Sequence, residues 1–225
     1  MPKNDFIFVD ESGDPGYQID PDSGDLVGSE HYVAATLHVC DDSIRFINEH
    51  VAAFRYLARM SRELKLPPGQ PIFDSLMEPI GALARTGHNI WASVIYLDKR
   101  RYTGSYLKPG GRRPANAVQF RNYIIRRLLE FHFKHYPLAS NQYDLVLDRI
   151  EMTKEQNENL QNYLAGNYNI PTPTNITHAS SIYVESLQIV HHIASGYKDV
   201  VSGAQPPRGL SFVNQRNITT YQYFE

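Results

Sequence analysis

The chain has 225 residues with 22 Lys and Arg against 24 Asp and Glu, a net charge of −2, so bulk charge does not advertise nucleic acid and any such surface has to be local. Hydrophobic residues make up 42% and charged residues 20%, an ordinary globular balance with length enough for one large α/β domain. One cysteine, Cys40, rules out an internal disulfide framework, no apolar run approaches the ~20 residues that span a bilayer, and the opening lacks a secretory pattern, so a cytoplasmic protein is expected.

Positions 5–10 predict a first strand, because the apolar run Phe6-Ile7-Phe8-Val9 is strand-favouring and stops at Asp10 and Glu11. Ser12-Gly13-Asp14-Pro15-Gly16 then reads as a turn that opens an acidic connection to position 30. His31 to Val39 predicts a second strand, forming a hairpin with a long loop. From Ser43 to Leu66 the spacing of Ile44, Ile47, Val51, Phe54 and Leu57 predicts a helix, stopped by Pro67-Pro68-Gly69. A shorter helix is predicted from Asp74 to Arg85, and a third strand from His88 to Asp98.

After a basic loop, Ala115 to Tyr136 predicts a long helix carrying Val118, Tyr123, Ile124, Leu128, Leu129 and Phe133. Gln142 to Asp148 is the fourth strand, followed by a polar helix from Thr153 to Leu164 that Thr153 can cap with Gln156 at its third position. Ile176 to Ser180 predicts a short last strand, and Ser181 to Tyr197 a final helix. Residues 201–225 read as a tail, or as a strap on a neighbour. Strands followed by helices imply an α/β fold with a single mixed sheet flanked by helices over residues 1–200.

The first and fourth strands end alike, in Asp10 and Asp148. As parallel neighbours they would hold two carboxylates about 5 Å apart, one strand spacing. Two such groups repel unless a proton or a cation lies between them, and Mg²⁺ or Mn²⁺ suits oxygen donors. The alternative is that each aspartate caps its turn. Glu11 points away from Asp10 while the strand stays regular, so it shares a ligand shell only if the chain already turns there. The last helix carries a polar stripe of Ser181, Glu185, Gln188, His191 and His192, which suits either a further metal ligand or a solvated face. Lys99, Arg100, Arg101, Lys108, Arg112 and Arg113 interleave with tyrosines and glycines, which suits a phosphate backbone or a solvated loop. Cys40 reads as a small core residue.

The opening FVDESGD, the strand HYVAATLHV, the strand ending VLD and the late SIYVESLQIVHHIASG resemble the uncharacterised domain of unknown function 3800 family. That resemblance covers about residues 5–200. It implies a ribonuclease H-like fold and places the family's first acidic position on Asp10, beside Glu11, and its central acid on Asp148. Its helix pattern falls on 187–195, where His191 replaces an aspartate and shifts the metal preference from Mg²⁺ toward Mn²⁺ or Zn²⁺. Glu185 is placed to compensate in part.

The resemblance implies a metal-dependent nuclease, a phosphodiester hydrolase in which Asp10, Asp148 and His191 hold the ion. Ser12, Gln188 and the basic loop would then contact nucleic acid. An aspartyl-nucleophile phosphatase is disfavoured because Ser12 stands where its second acid belongs, whereas a PIN-type nuclease is harder to separate. The other class is a module with the same fold that binds nucleic acid or protein without catalysis, carried on a phage or mobile element in a defence system.

Overall fold

This computed structural model describes residues 4–60, 63–104, 106–107, 117–138, 142–149, 154–166 and 169–220. Its strands are β1 (Asp5–Ser12), β2 (Gln18–Ile19), β3 (Leu26–Val27), β4 (His31–Cys40), β5 (Ile90–Asp98), β6 (Tyr143–Asp148), β7 (Asn175–Ala179) and β8 (Val213–Asn217). The helices are α1 (Asp41–Leu57), α2 (Pro71–Arg85), α3 (Ala117–His135), α4 (Lys154–Ala165) and α5 (Glu185–Val201), with a 3₁₀ turn at Arg208–Leu210. The predicted cap at Thr153, the start of the long helix at Ala115 and the side chain of Gln156 lie outside the described residues.

Six strands form one mixed sheet in the order β7-β6-β1-β4-β5-β8, and β2 pairs with β3 in a small separate hairpin. β1, β4 and β5 make an antiparallel meander, while β6 lies parallel to β1, β7 parallel to β6, and β8 parallel to β5. Each parallel pair needs a crossover, and the helices of those crossovers cover both faces of the sheet.

Strand alternation sorts the first strand between two cores. Phe6 and Phe8 face α1, α2 and α5, together with Val33, Leu37, Ile189 and Ile193. Ile7 and Val9 face α3 and α4, together with Leu128, Leu145 and Leu160. Burial on both faces explains why β1 and β4 read as nearly continuous apolar runs.

The second helix starts at Pro71 and the third strand of the sequence reading at Ile90, and three larger departures concern the first helix, the last helix and the tail. The first long helix ends at Leu57, not at Leu66, because Arg59 takes a left-handed φ of 52° and turns the chain out of the helix. Leu64 and Leu66 then run extended across α5, buried on either side of exposed Lys65. The final helix begins at Glu185, because Ser181–Tyr183 form a turn instead. The segment expected to be a tail or strap contains β8, which adds a sixth strand to the sheet through register pairs such as Val94 with Gln215. Among the described residues no helix is long and apolar enough to cross a membrane.

Candidate metal centre

β1 and β6 run parallel with Val9 opposite Leu147, so Asp10 and Asp148 stand one step further along the same register. Both fall on the Phe8 and Val146 side of the sheet, at its carboxyl edge, beside α5. Crevices at such an edge are where open α/β sheets collect ligands. Asp10 Oδ2 bonds His191 Nδ1 at 2.9 Å, and Asp10 Oδ1 accepts the Glu11 backbone N–H at 2.7 Å. The Asp10 side chain is 7% exposed whereas that of His191 is 40% exposed, so the pair opens outward through the imidazole.

Electrostatics ties Asp148 to this pair. Desolvation pushes its carboxyl above the ordinary range and the charge of Asp10 pushes it further, against the backbone N–H groups of Arg149 and Ser181. The Ser181 bond is 3.2 Å. For His191, the hydrogen bond to Asp10 raises the imidazole above its usual value, desolvation opposes this, and the charges of Asp10, Asp148 and Glu63 add to the rise. A carboxyl raised by the charge of a neighbouring carboxylate, with a protonatable histidine bonded to that neighbour, has the charge pattern of a site that attracts a cation. The three donors are not preassembled, however. Among the described residues only Asp5, His38 and Cys40 bring one ligand atom each within 4.8 Å of one another.

Glu11 turns to the opposite face, as alternation requires, and pairs with Arg121 Nε at 2.7 Å. Both side chains are nearly buried. Desolvation pushes the Glu11 carboxyl up, and Arg121 only partly offsets this. Glu185 pairs with Arg55 at 2.8 Å near the start of α5 and is committed there. Ser12 lies at the end of β1 on the face of Asp10.

Gln188 and His192 are buried, which corrects the picture of a solvated or substrate-facing stripe. Gln188 accepts the Leu64 N–H and donates to the Ser181 carbonyl. His192 accepts the Leu66 N–H at Nε2 and donates from Nδ1 to the Gln188 carbonyl, which defines its neutral tautomer. Desolvation pushes its pKa down to about 4. These two side chains pin the extended segment after α1 onto α5, and so bring Glu63 into the field of His191. Sequence reasoning missed Glu63 by placing it in a helix. The signal was present in Leu64-Lys65-Leu66 before Pro67, an alternating pattern ahead of a breaker.

The basic residues divide. Lys99 is buried and bonds Asp14 Oδ2 and the carbonyls of Asp14 and Gly16, so it closes the turn after β1 and is not free for a substrate. Arg100 pairs with Asp25 and Glu30. Arg101 is exposed, and Lys108, Arg112 and Arg113 lie outside the described residues. Gly13 makes the same turn possible. Its φ is +97°, and a Cβ there would lie 2.4 Å from the His31 carbonyl oxygen.

A groove of about 870 Å³ runs over the part of the sheet that α1 and α5 leave open, lined by Phe6, Phe8, Val146, Asn175, Ala179 and Tyr183 among others. Ala179 is the register partner of Asp148, so the groove flanks the acid-bearing strand without containing Asp10. No protein-family model matches the chain, and no curated protein is significantly similar to it.

Proposed function

We propose that the chain is a divalent-metal-dependent phosphodiesterase acting on nucleic acid, with a ribonuclease H-like fold and kinship to the domain of unknown function 3800 family. The observation that carries this reading is the placement of Asp10 and Asp148 at one height on adjacent parallel strands, with His191 bonded to Asp10. A first strand set between an antiparallel meander and two parallel crossover strands, with helices on both faces, supports the fold.

Asp10, Asp148 and His191 fit a divalent ion by charge and donor type. Two oxygens and one nitrogen favour Mn²⁺ over Mg²⁺. Such an ion, when bound, polarises a phosphate oxygen and acidifies water. The side chains have defined parts. Asp10 keeps the Glu11 N–H on Oδ1 and offers Oδ2. To hold the ion, His191 would release to solvent the proton that joins it to Asp10, and Asp148 would turn from the Ser181 N–H toward the pair. Phe6 and Tyr183 give the neighbouring groove aromatic surface on which bases can stack. Backbone contact falls to Arg101 and the residues that follow it in the basic loop.

The test is cleavage of labelled single- and double-stranded DNA and RNA with Mn²⁺ or Mg²⁺. Asp10→Asn and Asp148→Asn, each folded by circular dichroism, lose cleavage. Full activity in either variant refutes the mechanism. The second reading, a binding module of the same fold, is favoured by one observation: His191 already satisfies Asp10 without a metal. Nucleic-acid binding that is indifferent to Mn²⁺ and to Asp10→Asn selects it.

A further inference from the structure

Asp5 opens β1, at the end of the strand remote from Asp10, and its register partner on β4 is Cys40. His38 precedes Cys40 by two residues and therefore shares its face. All three side chains are buried. Asp5 Oδ1 lies 2.9 Å from Cys40 Sγ and 3.1 Å from His38 Nε2. Behind them, His38 Nδ1 lies 3.0 Å from His132 Nε2, and His132 Nδ1 lies 2.9 Å from Ser93 Oγ and 3.2 Å from Thr36 Oγ1.

We propose that Asp5, His38 and Cys40 form a structural zinc site, with His132 orienting His38. The site does not depend on the nuclease reading, because it occupies the opposite end and the opposite face of the sheet from Asp10 and Asp148.

Charge is the first argument. The three buried donors can supply two negative charges, from the Asp5 carboxylate and the Cys40 thiolate. Zn²⁺ with a carboxylate, a thiolate and a neutral imidazole has zero net charge. Binding releases one proton, from the Cys40 thiol to solvent.

Donor chemistry is the second. The thiolate, a soft donor beside one nitrogen and one oxygen, selects zinc over Mg²⁺ or Mn²⁺. Tetrahedral zinc bonds require sulfur and oxygen about 3.6 Å apart and nitrogen and oxygen about 3.4 Å apart. These two separations therefore widen by less than an ångström to admit the ion, and the sulfur and nitrogen lie within 4.8 Å of each other.

The proton pattern is the third. Zinc needs His38 Nε2 bare, so Nδ1 carries the proton and donates to His132 Nε2. His132 Nδ1 then donates to Ser93 or Thr36, whose hydroxyls accept as readily as they donate. A ligating histidine whose second nitrogen is held in this way is the usual arrangement behind a metal. Asp5 also borders a cavity of about 140 Å³ with Gln142 and Asn175.

The experiment uses the full chain. Protein purified without chelator carries close to one zinc per chain by elemental analysis, and zinc raises the unfolding midpoint of chelator-treated protein. Cobalt added to zinc-free protein gives a thiolate-to-cobalt charge-transfer band, which reads the chain's one cysteine directly. His132→Gln weakens zinc about 10- to 100-fold while leaving all three ligands in place. Cys40→Ser abolishes the band; if that variant does not fold, the wild-type spectrum decides. Asp10→Asn and Asp148→Asn keep the zinc and the band, which separates this site from the proposed nuclease centre. Absence of the cobalt band in folded wild type, or zinc affinity unchanged in His132→Gln, overturns the proposal.

Discussion

Asp10 and Glu11, adjacent in the chain, serve opposite faces of the sheet: Asp10 bonds His191 on α5, and Glu11 pairs with Arg121 on α3. One strand end thereby holds an acid that opens toward solvent through a histidine and an acid enclosed by an arginine. The two respond differently to substitution.

Arg121→Met is expected to cost about 3–5 kcal/mol in urea unfolding at pH 7, because it leaves the Glu11 carboxylate buried without its cation. Glu11 is already raised by desolvation, so protonation relieves the loss. The deficit should therefore shrink as pH falls. A deficit that grows with acid would show that Glu11 is not the stranded group.

Asp148→Asn should raise the unfolding midpoint of the metal-free protein. The carboxyl pKa of Asp148 is raised in the native state, so its charged form is disfavoured by folding at every pH above that value. Asparagine keeps an oxygen for the Ser181 N–H and removes the charge. The same variant should lose the Mn²⁺-dependent shift in midpoint, which separates binding from stability in one melting series.

His191→Asp replaces a nitrogen donor with oxygen and should move the preference from Mn²⁺ toward Mg²⁺ in thermal titrations. In wild type, Mn²⁺ displaces a proton held by a raised imidazole, so affinity should climb as pH rises through the His191 pKa. In His191→Asp that climb over the histidine range should vanish.

His192 sets an acid limit on the fold. Its pKa is about 4 in the native state against about 6.5 unfolded, so the unfolded chain binds the extra proton between those values. This group's contribution is intact above pH 6.5 and falls by about 3 kcal/mol on the way to pH 4. Chemical denaturation across that range measures it, and His192→Gln should flatten the slope.

The strand ends were legible because they obey two strong local rules. Apolar runs that stop at an acid mark a strand mouth, and period-two alternation separates Asp10 from Glu11 without any tertiary knowledge. The pairing of Asp10 with Asp148 depended on β1 and β6 being parallel neighbours, a condition that local pattern alone does not supply and that the register meets. Other features were hidden for physical reasons. The turn at Arg59 has no glycine to announce it, so apolar spacing carried the predicted helix through to Leu66. β8 is Val-Asn-Gln-Arg-Asn at the edge of the sheet, too polar to read as a strand. Asp5, His38 and Cys40 become neighbours only through the β1–β4 register, and Gln188 and His192 are buried only because the segment at 64–66 lies on them.

The position of β8 also dictates an order of events during synthesis. Among the described residues it follows every other strand and all five helices, yet it is the strand that covers β5. A nascent chain can assemble the acid-bearing centre from β1, β4 and β6 while β5 still presents an open row of peptide groups. Until Val213–Asn217 have left the ribosome, that row can pair with another nascent copy, so this short polar strand protects the sheet from self-association late in its making.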